Sequence, residues 1–310
     1  MRNFISEDDI EQAILQKLEG DPFQYGILRC DPSPDKRELL PDGTGRSSKK
    51  ECVLPLILRE ALARLNPDIP GEKLEEIARD LCRDFSATDM TATNYKYYNQ
   101  IRNGIKISLR RNGKEDFDFV KLVDFDRPEN NTFTAVSQMW IQGRVYWRRP
   151  DVLIFINGLP MVFVELKNSI VKVEEAYNDN LKNYLRDIPN LFALNQICVL
   201  SNGLETRLGA FNATYNHFFE WLKVDSEKER PDRQALKEAG TVGESSVRYF
   251  IDGLLQKGRL IDYIENFIMF RNQKNKIIAK NHQYFGVNNL MESVKNRAEL
   301  QGKLGVFWHT

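Results

Sequence analysis

Apolar residues recur at helical spacing toward both ends of the chain and at strand spacing through its middle, and this contrast predicts the architecture. Ser6 with Asp9 three residues on forms a capping-box-like start, after which Ile10, Ala13, Ile14 and Leu18 line one face up to Gly20, a first helix. Residues 30–50 are rich in Pro, Asp, Gly, Ser and Lys without apolar periodicity and read as a long, mobile polar loop. Val53 to Leu65 reads as a helix stopped by Asn66-Pro67, and Gly71 to Phe85 as a second that packs against it. From Ile105 the period changes: Ile105–Leu109, Phe117–Val123, Phe133–Ile141, Val152–Ile156 and Met161–Leu166 are strand-like. Helical spacing returns at Tyr177, Leu181, Tyr184, Leu185 and Ile188, followed by a buried strand at Gln196–Leu200. Strands flanked by helices give an α/β or α+β fold class. The charged stretch Asp225–Ser246 is the best linker, with helical patterns beyond it at Leu254–Phe270 and Tyr284–Glu299.

Composition narrows the class without naming a function. With 310 residues the chain buries a full core, and no window approaches the ~18 apolar residues of a membrane span. The N-terminus turns acidic where a secretion signal needs an apolar stretch, which points to the cytoplasm. Four cysteines without a Cys-x-x-Cys pair argue against a zinc ribbon and a disulfide framework, and His217, His282 and His309 are too dispersed for a zinc site. Lys and Arg number 44 and so do Asp and Glu, so any phosphate binding must use local basic patches.

Chemistry concentrates at Arg149-Pro150-Asp151, a buried strand, Asn157-Gly158-Leu159-Pro160, a second buried strand, then Glu165-Leu166-Lys167. Alternation along a strand puts Glu165 and Lys167 on one face, roughly 7 Å apart at Cα. Whether Asp151 joins them depends on turn parity. An odd loop sets Asp151 against Glu165, whereas the two-residue turn that Asn157-Gly158 suggests sends it to the other face unless a bulge intervenes. Two carboxylates and an ammonium at one spot suit phosphodiester cleavage: Asp151, Glu165 and the Leu166 carbonyl as oxygen ligands for Mg²⁺, and Lys167 orienting water or stabilising negative charge. The same spacing also fits charges that merely end buried strands at the solvent boundary, and Glu-x-Lys arises by chance in a chain so rich in both residues.

The run RRPDVLIFINGLPMVFVELKNS resembles the nuclease core of type I restriction enzyme motor subunits. In the same order SEDDIEQAILQKL, LILREALARLNP, VKLVDFDRPENNTF, LKNYLRDIPNLF, VLSNGLETRLGAF and IIAKNHQYFGVNNLMESV also resemble that family, so the likeness is essentially end to end. The resemblance implies a PD-(D/E)xK core sheet flanked by helices, with Asp151, Glu165 and Lys167 catalytic and Mg²⁺ as cofactor. It implies a nuclease domain over 1–225, a linker over 226–246 and the start of a helicase-like motor domain over 247–310. The family often carries Gln-x-x-x-Tyr on the following helix; here Asn180 and Tyr184 match, with an amide one methylene shorter. Tyr184 equally fits an apolar helical stripe, and Asn180 an exposed helix position. Glu11 matches an acidic position on the opening helix, where the helix dipole alone also favours an acid. Basic residues cluster at Arg110, Arg111 and Lys114, at Arg144, Arg148 and Arg149, and at Lys167, Lys172, Lys182 and Arg186. Of these, Arg148, Arg149, Lys172 and Lys182 are the candidate DNA contacts, although each also fits a solvated charge. His282-Gln283-Tyr284-Phe285 resembles the adenine-contacting segment of helicase-like motors, with Gln283 reading the base, and GVFWHT resembles the strand leading into a phosphate loop. No G-x-x-x-x-G-K-[ST] occurs in the chain, which reads as an N-terminal fragment needing ATP only in the full-length subunit. The implied partners are double-stranded DNA and the modification and specificity subunits of a restriction complex, with no membrane.

Overall fold

The computed structural model describes residues 4–83, 89–111 and 114–305. Ser6 and Asp9 complete a reciprocal capping box at the start of α1 (Glu7–Glu19), which buries Ile10, Ile14, Leu15 and Leu18. β1 (Gly26–Arg29) follows, then the polar loop. That loop is pinned rather than loose: Arg46 and Lys49 both pair with Asp42 at 2.7 Å, and Arg46 donates to the carbonyls of Glu51 and Trp140. Composition reports the polarity of this stretch and not the pairing of its polar groups from Asp42 onward.

α2 (Pro55–Leu65) and α3 (Gly71–Cys82) pack together as expected; residues 84–88, which include the expected end at Phe85, lie outside the described residues. α4 (Met90–Asn103), capped by Asp89, is a helix its polar sequence did not announce. β2 (Ile105–Arg111) and β3 (Lys114–Val120) form a separate ribbon. β4 (Phe133–Ser137) ends at Gln138, whose φ of +57° breaks the single strand expected over 133–141; Ile141 reappears in a small ribbon of β5 (Ile141–Gln142) with β6 (Trp147–Arg148). β7 (Val152–Ile156) and β8 (Leu159–Leu166) are buried along their whole length. A helical run over 173–187 then joins α5 (Val173–Glu175), π-helical Ala176–Leu181 and α6 (Lys182–Asp187). α7 (Leu191–Leu194), β9 (Ile197–Ser201), β10 (Thr206–Gly209) and β11 (Phe219–Glu220) follow.

β1-β4-β7-β8-β9-β10-β11 is the order of the seven-stranded central sheet, parallel at β1/β4 and β8/β9 and antiparallel elsewhere. Even-numbered β7 residues Val152, Ile154 and Ile156 face α1, while odd-numbered Leu153 and Phe155 face the 173–187 run. Within the charged segment expected as a linker lies α8 (Arg233–Lys237). Then α9 (Ser246–Leu254) and α10 (Lys257–Asn266) share the apolar cluster of α1, and the backbone N–H of Ser246 donates to Gly203 O at 3.0 Å. Helix does not run to Phe270 as the spacing predicts: β12 (Ile268–Arg271) pairs with β13 (Asn275–Ile278), and α11 (Asn281–Lys295) follows. The terminal segment read as a motor strand falls mostly on residues 306–310, outside the described residues. No helix among the described residues is long and apolar enough to cross a membrane.

Candidate active site

Turn parity, the condition on which the trio depends, is resolved by a bulge. Asn157 (φ +52°) and Gly158 (φ +80°) make the two-residue turn, pairing Ile156 with Leu159. A side chain at Gly158 would be strained at that φ and would meet Leu54 O at 2.6 Å, so the start of α2 and the turn both require glycine. Past Phe155/Pro160 the register shifts by one, so that Ile154 opposes Val162 and Val152 opposes Val164. The extra residue leaves Met161 and Val162 both in the α1-side core. Continued one step, the shifted register sets Asp151 against Glu165, on the face that also carries Lys167.

Short contacts confirm this meeting. Asp151 Oδ2 accepts from the backbone N–H of Leu166 at 2.7 Å, and Lys167 Nζ lies 3.6 Å from Glu165 Oε1 while donating to Leu166 O at 3.0 Å. Asn180 Nδ2 donates to Glu165 Oε1, so the shorter amide does reach the site; it sits in the π-helical turn, a wide-turn geometry often found at functional sites. Tyr184 takes the packed position of its core reading, on the stripe that borders Glu165. It is buried edge-on against Phe163 with ring centroids 5.2 Å apart, and its hydroxyl donates to Arg149 O at 2.9 Å.

Burial dominates the electrostatics. It pushes the Asp151 carboxyl up to about 6, against the opposing pull of the Leu166 N–H and Lys167. Glu165, only 2% exposed, is raised well above the ordinary carboxylate range by burial and by Asp151. Glu11 is raised too, chiefly by burial, with hydrogen bonds from Gln138 and Ser137 opposing. Gln138 was not singled out in the sequence, yet its Nε2 donates to Glu11 Oε2 and, at 3.4 Å, to Asp151 Oδ1. The available signal was a lone amide inside an apolar β-rich run. Two buried oxygens here have no partner, Glu165 Oε2 and Gln138 Oε1.

A hard cation fits this donor set, because unbonded Glu165 Oε2 and carboxylates disfavoured by burial are what a divalent ion with oxygen ligands would satisfy. Among the described residues no three His, Cys, Asp or Glu side chains form a ready-made cage.

Basic candidates divide. Arg148 is spent on Asp187 (Nε to Oδ2, 2.7 Å), and Arg149 stacks over Trp140 at 5.2 Å and donates to Pro32 O. Lys172, which precedes the 173–187 run, and Lys182 within it are exposed, Lys182 donating to Asn178 Oδ1 at 2.7 Å. Gln283 is remote from the trio in sequence and caps its own helix, its Oε1 accepting from Lys280 N at 2.8 Å.

Residues 4–217 match the family described as type I restriction enzyme R protein N terminus. The type I restriction enzyme HindI endonuclease subunit of Haemophilus influenzae is 31% identical across 99% of this chain, and a putative MjaIXP endonuclease subunit of Methanocaldococcus jannaschii is 29% identical across 97%. A Staphylococcus aureus type I restriction endonuclease subunit is 26% identical over 66% of the chain. The chain spans 28% of the length of the first of these relatives and 29% of the second. With its geometry and these likenesses together, the chain belongs to the family of type I restriction enzyme R protein N-terminal regions.

Proposed function

We propose that the site hydrolyses DNA phosphodiesters, with Asp151, Glu165 and the Leu166 carbonyl holding Mg²⁺. The observation that carries this reading is the bulge-corrected register that faces Asp151 with Glu165 and leaves Glu165 Oε2 buried and unbonded. When bound, the ion lowers the pKa of water and neutralises charge on the phosphate. Lys167 would orient the attacking water or stabilise negative charge on the phosphoryl oxygens. Asn180 would hold the orientation of Glu165, Tyr184 would wall the site beside it from Phe163 and Arg149 O, and Glu11 would bring a further carboxylate from α1. Lys172 and Lys182, and less directly Arg148 and Arg149, would meet the phosphates of double-stranded DNA.

In this reading residues 1–225 form a PD-(D/E)xK endonuclease domain, 226–246 a linker, and 247–310 the beginning of a helicase-like motor. Gln283 would contact adenine when the full-length subunit binds ATP to translocate DNA. Target choice would lie with modification and specificity subunits, in a cytoplasmic complex.

The test replaces Asp151, Glu165 or Lys167 with Ala in the reconstituted complex and follows plasmid nicking beside ATP turnover. Nicking should vanish while turnover persists. Wild-type nicking by a folded Glu165→Ala variant would refute the assignment.

A further inference from the structure

Three neighbouring strands end in one row of polar side chains: Gln138 after β4, Asp151 before β7 and Glu165 in β8. The backbone N–H of Gln138 donates to Asp151 O at 3.0 Å, extending the Ser137–Val152 pairing by one residue, while its φ of +57° turns the chain out of the strand. Left-handed backbone is uncommon for a residue with a long side chain, and here it accompanies a side chain reaching two carboxylates. Glu11 belongs to α1 on one side of the sheet, whereas Asp151 shares its face with Phe163 and the 173–187 run. One amide, Nε2 of Gln138, bonds to both. Its orientation follows from its neighbours, because a flipped amide would turn an oxygen toward two acceptors. The other end of the amide, Oε1, is buried with no partner.

We propose that Gln138 is a positioning residue that holds the Asp151 carboxylate in place for a divalent cation by tying it to Glu11 of α1, a role that rests on the nuclease reading above. A neutral donor between two buried acceptors keeps them from separating before the ion arrives, and it adds no charge to compete with the ion afterwards. Ser137 supports the same carboxylate through its hydroxyl. The bond therefore ties α1 to the end of the sheet at the point where metal would bind.

Calorimetric titration of the full 310-residue chain with Mn²⁺, alongside thermal melting, tests this. Gln138→Met keeps the side-chain length without the donor and should weaken the Mn²⁺ Kd by about 10- to 100-fold. Glu11→Gln should weaken it as well, and the double variant should be no worse than about threefold beyond the weaker single, since both act through one contact. Gln138→Asn suits left-handed backbone and protects folding, and its shorter amide reaches only one carboxylate, so a several-fold loss is expected. A folded Gln138→Met or Gln138→Asn chain with wild-type Kd, or fully additive losses in the double variant, overturns the role of Gln138 while leaving the nuclease reading intact. A wild-type chain that binds no divalent cation, in a complex that cuts DNA without one, overturns both.

Discussion

The two ends of the β7–β8 hairpin bury polar side chains to similar depth and treat them in opposite ways. At the turn end, fully buried Asn157 donates to Leu122 O at 2.9 Å and to Asn131 Oδ1 at 2.8 Å, and its own oxygen accepts from Thr132 N at 2.8 Å and from Arg64. At the other end, Glu165 Oε2 and Gln138 Oε1 accept nothing. A buried polar group without a partner opposes folding by roughly 1–3 kcal/mol, more for a charge, so the open end is a stability loss that a folding role alone does not explain. Acids repeat the contrast. Asp42, clasped by Arg46, Lys49 and Thr44, is held well below the usual carboxylate range, whereas Asp151 is pushed up. One end is satisfied within the fold, and the other leaves open the oxygens that the proposed metal site would use.

Substituting one residue at each end gives the largest effects. Glu165→Gln in the reconstituted complex should reduce plasmid nicking by about 10³-fold or more, because it removes an anionic oxygen from the proposed metal site. The same change relieves the burial and the Asp151 repulsion that disfavour the ionised Glu165 carboxyl, so the melting temperature of the chain should hold or rise. Asn157→Leu should behave in the opposite sense. It strands the partners of Asn157 and puts a branched side chain at φ +52°, which should lower stability by about 3 kcal/mol or more in denaturant titration while the folded fraction cuts DNA normally. If Glu165→Gln destabilises as Asn157→Leu does, the two ends are alike and the comparison collapses.

Protonation sharpens it next. The folded Asp151 carboxyl keeps its proton up to about pH 6, whereas its ordinary value is 3.8. Between those values the native chain binds more protons than the unfolded one, so this site favours folding least at the high end. Its contribution declines as pH rises from about 4 to about 6 and stays low beyond. The expected loss is about 2 kcal/mol after allowance for partial solvent access. Thermal melts of the metal-free chain at pH 5 and pH 7 should therefore differ by more in the wild type than in Asp151→Asn. An equal difference in both would place the titrating groups elsewhere. Because ions compete with those protons, Mn²⁺ affinity should increase over the same interval.

Legibility in the sequence also separates the two ends. The Asn-Gly turn was readable from its dipeptide, since both residues adopt positive φ, and β7 was readable residue for residue from its apolar run. The capping box of α1 was equally plain. The bulge was not: Leu-Pro-Met-Val carries no mark of which residue is left over, so alternation alone could state the requirement for a bulge without locating it. Gln138 was hidden because its role depends on a break in β4 and on a partner 127 positions earlier. The pinned loop and α4 escaped for a related reason, since polar sequences do not reveal which tertiary partners satisfy them.

Asn180 offers the smallest and most discriminating change. Restoring the residue frequent in the family, Asn180→Gln, lengthens by one methylene an amide that already touches Glu165 Oε1 from a π-helical turn. If the wide turn compensates for the shorter side chain, the added methylene has no space and must displace either the amide or Glu165. Overpacking of this kind destabilises by about 1 kcal/mol at the low end of its range. Nicking should then fall several-fold, with a melting-temperature drop of a few degrees. A variant that nicks faster than the wild type without loss of stability would show instead that Asn180 is a weakened version of the longer amide, and that the π-helical turn does not serve its reach. The same measurement with Asn180→Ala sets the scale. Losing one donor to Glu165 while leaving space should cost nicking about tenfold and leave the fold almost unchanged, so the order wild type, Gln, Ala is the outcome that supports compensation by the turn.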